Sequence, residues 1–360
     1  MTKRIKNVLI TVGALAAAAA AAVGGMLLYL SAQLDKVPAM TALETLAYTT
    51  RGREDAVITA GTIKDGVCSY TVYGEDAREL PHERHVYEIG SLTKTFTAAL
   101  VCRGFEEGAL SPEGELSQYL DLPQKPHYPA LSELLTHTSG YKAYYYAPPM
   151  TGNFFAGRND FCGIGDSMVL DTLAKTDIPA GKHGFVYSNF GYAALGLVLE
   201  KTSGTEFTRL MNGFTQELGL ENTRISDGSG DLGRLWEWTA GDTYMAAGAL
   251  VSDIEDMLKY AQLQLDGEGV FARCHESMAV VNASDVKNKK LDINLDEVGA
   301  AWIIDRENGF IWHNGGTGDY NCWLGVCPQT QTAAVVMSNL SPSYRLPATV
   351  TGVKLLKEIQ

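Results

Sequence analysis

The sequence predicts an α+β protein in which strands from both ends of the chain form one antiparallel sheet flanked by helices. Strand-like runs come early and return late, and helical periodicity dominates between them, from about residue 90 to 265. Because strands and helices come in blocks, the pattern does not favour alternating βα units. The helical stretch is therefore expected to form an inserted lobe beside the sheet. The strand-like runs are 56–63, 67–74, 299–305, 309–314, 320–327 and 332–339.

The first two strands and the helices carry local signals of their own. Lys64-Asp65-Gly66, between the early strands, is typical of a hairpin turn. Glycine follows several helical segments, as it does at many helix C-termini. Residues 31–50 are predicted to be a linker and a first short helix, and 51–360 the folded domain. The helical segments are 93–108, 130–138, 191–204, 206–220, 243–267 and 347–360.

Residues 8–30 form an uncharged, alanine-rich run that is long enough for a membrane helix, which needs about 20 residues. Lys3, Arg4 and Lys6 precede it, so the positive-inside rule makes residues 1–7 a cytoplasmic basic tail. The length favours an uncleaved signal anchor, whereas the A-x-A sites in the run leave a cleaved signal peptide open. We therefore expect a single-pass protein of the cell membrane whose folded domain lies outside the cytoplasm.

The charge balance argues against a nucleic-acid partner. The chain has 42 acidic and 29 basic residues, and every acidic residue follows residue 30. A domain this acidic repels phosphate backbones. Neither C-x-x-C nor H-E-x-x-H occurs, so the sequence gives no support for a metal or cofactor site.

The six cysteines would permit disulfides in an exported protein. Cys322 and Cys327, however, lie five residues apart in one strand-like run. An extended chain separates them by far more than the roughly 7 Å that a disulfide spans between Cα atoms. The chain is also long enough to build a core without covalent staples. We expect buried free thiols.

A first candidate for chemistry is the segment that contains Ser91 and Lys94. The two residues are three apart at the predicted start of a helix, so their side chains share one face. The helix N-terminus brings partial positive charge and free N–H groups to Ser91. A desolvated lysine loses its proton more easily and can then activate the hydroxyl. The alternative is an ordinary N-cap serine followed by a solvated lysine.

Two further segments suggest partners for these residues. Tyr187 and Asn189 stand two apart before a helix; a phenolate near a lysine is a competent base, and an amide can bind a substrate amide. In the glycine-rich run 312–318, glycines on a strand allow close approach of another backbone. An N–H of this strand and that of Ser91 could together form an oxyanion hole. The alternatives are a turn with a capping Asn189 for the first segment and a hairpin turn with a surface histidine for the second. His313 is expected at the cleft as a donor or a charge.

Taken together, the three segments resemble the motif set of β-lactamases and penicillin-binding proteins, in which S-x-x-K comes first. The sequence reads S-L-T-K, Y-S-N and H-N-G in this order, and LLTHTSG at 134–140 is similar to a further family signature. The chain is thus identified as resembling the class C β-lactamase-related serine hydrolases over roughly 50–345. The resemblance implies a β-lactamase/transpeptidase-like fold and no cofactor.

The resemblance also implies roles for individual residues. Ser91 matches the acylated nucleophile, Lys94 the proton-relay lysine and Tyr187 the general base. Asn189 matches the substrate-amide contact and Gly316 an oxyanion donor. His313 stands where class C β-lactamases have lysine, a departure that weakens the case for β-lactamase activity.

The sequence-based hypothesis is an exported serine hydrolase that acts through an acyl-enzyme. Its substrate would be a small molecule or peptidoglycan peptide: a peptide ending in a D-amino acid, or an ester. A β-lactamase is the nearest enzymatic alternative, and a penicillin-binding sensor that is acylated without turnover is the alternative from another class. Six aromatic residues between 141 and 155 either line the substrate cleft or pack beneath a long loop.

Overall fold

The computed structural model describes residues 35–360. The predicted signal segment, 8–30, lies outside the described residues. Within 35–360, the model contains no helix with the length and apolar character that a membrane span requires. The described chain divides after Thr41, and the short first unit contains a 3-10 turn at Val37–Ala39. The second unit, Ala42–Gln360, holds the sheet and the helices described below.

An eight-stranded antiparallel sheet joins the two ends of the second unit, as the sequence predicted. Its strands are β1 Ile58–Lys64, β2 Val67–Tyr73, β6 Ala279–Val280, β7 Glu297–Val298, β8 Ile303–Asp305, β9 Phe310–Gly316, β10 Asn321–Cys327 and β11 Thr332–Ser338. They lie in the order β2-β1-β11-β10-β9-β8-β7-β6. The early hairpin meets the late strands where Ile63 of β1 pairs with Ala333 of β11.

Helices cover both faces of the central strands. Successive residues of a strand point to opposite faces. Trp323 of β10 lies against Gly352 on the last helix, whereas Gly61 of β1, on the other face, meets Ile254 and Leu258. Every residue of β10 and β11 is therefore buried, which explains why these runs look apolar rather than alternating.

The helical lobe lies between the early and the late strands, as predicted. The helices are α1 Ala42–Thr50, α2 Thr93–Glu106, α3 Leu131–Leu135, α4 Pro148–Ala156, α5 Asp166–Lys175, α6 Asn189–Ser203, α7 Phe207–Glu217, α8 Met245–Gly248, α9 Ile254–Asp266, α10 Val270–Cys274, α11 Val286–Lys290 and α12 Ala348–Ile359. α2 and α6 are the deeply buried helices of this lobe, each with ten consecutive buried residues, from Thr93 to Cys102 and from Phe190 to Leu199.

The single helix predicted over 243–267 is wrong. The structure has a short helix α8, a strand β5 (Leu250–Ser252) and then α9. β5 is buried and lies between β3 (Tyr87–Glu88) and β4 (Arg224–Ile225) in a second, three-stranded sheet. The helix restarts because the Asp253 side chain accepts a hydrogen bond from the Asp256 N–H. Long-range strand pairing therefore overrides the local helical pattern.

All six cysteines are free thiols in the structure, and five are buried. The expectation of burial fails at Cys68, which is exposed on β2. β2 is the edge of the large sheet, and its first three residues are exposed.

Candidate active site

Ser91 lies on a short 3-10 turn, Gly90–Leu92, between β3 and α2. Gly90 has a φ of +49°, in the left-handed region that favours glycine. A Cβ atom placed there would lie 2.7 Å from the Gly316 nitrogen and 2.9 Å from its oxygen. Glycine at position 90 therefore allows the end of β9 to approach the turn. Ser91 and Gly316 line the same cleft, as the oxyanion hypothesis requires.

Lys94 is fully buried one helical turn after Ser91. Its Nζ lies 3.1 Å from Ser91 Oγ, and it donates hydrogen bonds of 2.7 Å to Asn189 Oδ1 and the Ala247 carbonyl. Burial holds the pKa of Lys94 well below its ordinary value. A neutral amine has two N–H groups and one lone pair. With both N–H groups on carbonyl oxygens, the lone pair remains for the Ser91 hydroxyl.

Tyr187 is half-buried at the site, where its phenol hydrogen-bonds with Ser91. The Lys94 Nζ lies 4.9 Å from the centre of the tyrosine ring. Burial raises the pKa of the phenol, against the hydrogen bond with Ser91, which lowers it. Burial thus favours the neutral form of both groups, a phenol beside an amine. The sequence analysis considered a phenolate near a lysine as the base.

Asn189 is the first residue of α6 and faces the cleft. Ser188 caps this helix by accepting from the Gly191 N–H, and its hydroxyl donates to the Lys142 carbonyl. Because the Asn189 side-chain oxygen accepts from Lys94, its amide NH₂ is the part left to donate to a substrate.

His313 is not the cleft donor or charge that the sequence suggested. It is 1% exposed on β9, and its Nδ1–H donates to the Asn314 carbonyl at 2.6 Å. Burial, followed by the nearby Lys94, lowers the pKa of His313 to about 3. Its ring centre lies 6.3 Å from that of Tyr187. His313 therefore packs behind the catalytic candidates as a neutral ring and brings no positive charge to a substrate.

His137, within the LLTHTSG segment, supports the tyrosine segment, a role that the sequence analysis missed. Its Nδ1 accepts from the buried Ser188 N–H at 3.0 Å, and its ring centre lies 4.4 Å from that of Tyr187. Accepting at Nδ1 requires the proton on Nε2. His137 thus fixes the backbone between Tyr187 and Asn189. The motif was recognisable in the sequence, but this contact spans 51 residues.

Glu88 joins two walls of the cleft and was also missed. Its carboxylate accepts from the Trp236 N–H and from the Thr317 hydroxyl, each at 2.5 Å. Burial raises the pKa of this carboxyl to about 7, although both hydrogen bonds lower it. The position three residues before the nucleophile gave no signal of this role, because both donors are distant in sequence.

The cleft at Ser91 is small and aromatic. Its volume is about 40 Å³, and its walls include Asn189 and Gly316. The aromatic side chains that complete it are Phe161, Trp236, Trp238 and Tyr244. A larger cavity of about 640 Å³ touches Trp238, but it contains none of the predicted site residues. Within residues 35–360, the structure shows no cluster of three or more His, Cys, Asp or Glu side chains placed to hold a metal ion.

A serine on a turn, a lysine one helical turn later, a tyrosine segment and a glycine strand are together typical of the serine hydrolase fold of β-lactamases and penicillin-binding proteins. The chain belongs to the Beta-lactamase family, whose model matches residues 44–355. Over 162 residues it is 27% identical to Penicillin-binding protein 4* of Bacillus subtilis, which covers 42% of this chain. The chain spans about a third of the length of that relative, 34%.

Solved structures confirm the fold. The octameric penicillin-binding protein homologue from Pyrococcus abyssi matches with a TM-score of 0.69 and 21% identity, over 88% of this chain and 76% of that one. The Beta-lactamase/D-alanine Carboxypeptidase from Yersinia pestis matches with a TM-score of 0.66 and 16% identity, over 91% of this chain and 99% of that one. The predicted α+β, β-lactamase/transpeptidase-like architecture is therefore confirmed.

Proposed function

We propose that this protein is an exported, membrane-tethered serine hydrolase that acts through an acyl-enzyme on uncharged esters or on peptides ending in a D-amino acid. The observation that carries the proposal is the environment of Lys94. This lysine is fully buried, two carbonyl oxygens hold its N–H groups, and its Nζ lies 3.1 Å from Ser91 Oγ. A lysine held in this way is a base rather than a surface charge.

In the proposed acylation step, Ser91 Oγ attacks the substrate carbonyl and its proton passes to the Lys94 amine. The negative charge on the carbonyl oxygen is stabilised by the N–H groups of Ser91 and Gly316. The tetrahedral intermediate collapses when the bond to the leaving group breaks. Tyr187 gives its phenolic proton to the leaving group and recovers one from the Lys94 ammonium ion.

Deacylation reverses these proton movements with water as the nucleophile. Water loses a proton to Lys94 by way of Tyr187 as it attacks the acyl carbon. Ser91 Oγ then leaves and takes back that proton. Asn189 holds the substrate through its amide NH₂, and no cofactor enters either step.

The cleft favours an uncharged ester over an anionic substrate. The residues that line it include four aromatic side chains and no arginine or lysine. The neutral His313 adds no charge beneath them. The name of the Yersinia pestis structural neighbour supports a D-alanyl peptide as the second candidate, although such a peptide ends in a carboxylate.

A substrate panel tests the proposal. The full-length protein is given a D-Ala-D-Ala peptide, a p-nitrophenyl ester and a cephalosporin, and a fluorophosphonate probe reports on the nucleophile. We expect turnover of the ester or the peptide, and no turnover or labelling in Ser91→Ala. Ser343→Ala, at an exposed serine, is the matched control and should retain both. A single stable adduct without turnover would instead support the sensor, and labelling of Ser91→Ala at the wild-type level would contradict the proposal.

A further inference from the structure

A second cavity lies next to the cleft and is lined largely by aromatic side chains. We call it the aromatic cavity; its apolar walls are Tyr144, Tyr146, Met150, Phe154, Phe155 and Phe161. Its volume is about 310 Å³, at the lower end of the roughly 300–1,000 Å³ found for small-molecule sites. The cleft at Ser91, at about 40 Å³, has room for little more than the reacting group.

The aromatic cavity and the cleft share a wall. Phe161 lines both of them. Its ring stacks on that of Tyr244, a cleft residue, with the centres 4.3 Å apart. Phe161 also packs edge-to-face with Tyr144, and the centres of these two rings are 6.3 Å apart. A substrate whose carbonyl is at Ser91 therefore meets a continuous aromatic surface that leads into the aromatic cavity.

Helix α4 presents its apolar residues to solvent at this cavity. Phe154 is 73% exposed and Phe155 is 82% exposed, although each is a large apolar side chain. Prolines 148 and 149 start the helix, and Gly157, with a φ of +58°, ends it, so its limits are well defined. Met150 and Phe154 are one turn apart and lie on one side of α4. An apolar group that filled the aromatic cavity would cover this surface.

The larger, 640 Å³ cavity is a weaker candidate because it contains none of the predicted site residues. Three of its acidic side chains already have partners. Glu200 accepts from the Phe207 N–H, Asp166 accepts from the Thr243 hydroxyl, and Asp242 accepts from the Gly163 N–H.

We propose that the aromatic cavity is a specificity subsite that holds an apolar alkyl or aryl group of the substrate bound at Ser91. The inference rests on the proposed function and narrows its substrate class to esters or peptides with such a group. The sequence left two roles open for the six aromatic residues between 141 and 155. The proposal assigns the substrate-lining role to four of them, Tyr144, Tyr146, Phe154 and Phe155, whereas Tyr141 is buried in the core.

The experiment compares two series of esters in the full-length protein. One series lengthens the acyl chain of p-nitrophenyl esters from acetate to octanoate, and the other lengthens the alcohol of acetate esters. We expect kcat/KM to rise with chain length in at least one series. The double variant Phe154→Ala/Phe155→Ala should lower the ratio of kcat/KM for the longest ester to kcat/KM for the shortest by about tenfold. This is the scale of one or two methylene groups in an apolar pocket. The ratio is the readout, so an equal loss of activity toward all esters does not count as support.

The double variant Val280→Ala/Val286→Ala is the matched control, since both valines are exposed and lie outside the cavity. It should keep the wild-type ratio, and a thermal melt checks that both variants stay folded. The subsite is overturned if the wild-type kcat/KM does not change with chain length, or if the phenylalanine variant keeps the wild-type ratio. In either case, turnover of the short ester by the wild type would still support the proposed function. Absence of Ser91-dependent turnover in the wild type would overturn the proposed function itself.

Discussion

Lys94 Nζ lies 3.1 Å from Ser91 Oγ, and its two remaining hydrogen bonds are to the carbonyl oxygens of Asn189 and Ala247. None of these partners carries a negative charge that would stabilise an ammonium ion. Burial alone accounts for the lowered pKa of this lysine. Burial of this lysine therefore favours the neutral amine beside the Ser91 hydroxyl, and it lowers the folding free energy gained whenever the unfolded lysine is protonated.

A first prediction concerns the lysine as a base. Lys94→Arg should lower kcat/KM by about three orders of magnitude or more, because arginine stays protonated and cannot accept the Ser91 proton. Fluorophosphonate labelling of Ser91 should fall with it. Lys175→Arg, at an exposed lysine on α5, is the control and should behave as wild type. Activity within tenfold of wild type in Lys94→Arg would show that another group takes the proton.

The same lysine predicts a pH dependence of stability. The pKa of Lys94 is lowered in the folded state, so the unfolded chain binds one proton more at neutral pH. The free energy of unfolding therefore increases as the pH rises toward the ordinary pKa of lysine. Relative to Lys94→Met, the unfolding free energy of the wild type should increase between pH 7 and 9, by at most about 1.4 kcal/mol per pH unit. Urea unfolding at both pH values measures it. Parallel pH curves for the two proteins would mean that Lys94 is charged in the folded state.

A third prediction concerns His313. With its pKa lowered to about 3, the imidazole is neutral throughout the range in which the enzyme would be assayed. His313 should therefore contribute no titration near pH 6.5 to the pH profile of kcat/KM. The profiles of the wild type and of His313→Gln should have the same shape in this range. The same variant should leave the ratio of ester to cephalosporin hydrolysis unchanged, because it removes no charge. A marked loss of cephalosporin hydrolysis in His313→Gln would indicate that the ring binds the anionic substrate.

A fourth prediction concerns cellular location and rests on residues 8–30, which the sequence predicts to be a signal anchor. The full-length protein expressed in a bacterium should sediment with membranes, and external protease should digest its folded domain in spheroplasts. Replacing Lys3, Arg4 and Lys6 with glutamine should weaken this orientation. A shortened chain in the medium would favour the cleaved signal peptide, and recovery in the cytoplasm would refute export.

The sequence predicted those strands and helices that form from local signals such as turns, apolar runs and helix starts. Hairpin chemistry at Asp65-Gly66 and the apolar runs of β10 and β11 helped to predict six of the eight strands of the large sheet, and S-x-x-K marked the start of α2. The two-residue strands β6 and β7 were missed. β5 was hidden because Leu250–Ser252 becomes a strand only by pairing with distant partners. The protonation states of Lys94 and Tyr187 depend on burial from many elements, which spacing alone cannot express.

The last prediction concerns Glu88. Its carboxylate connects Trp236, on one wall of the cleft, to Thr317, which directly follows β9. Burial raises its pKa from 4.5 to about 7, so the folded state binds this proton more tightly than the unfolded chain does. The resulting stabilisation is complete below pH 4.5 and is lost as the pH rises to 7. It amounts to about 3 kcal/mol. Glu88→Gln should therefore lose less stability than wild type between pH 5 and 8, as measured by urea unfolding. Glu221→Gln, at an exposed carboxyl, should follow the wild-type curve. If Glu88→Gln also follows that curve, Glu88 is ionised in the folded protein across this range.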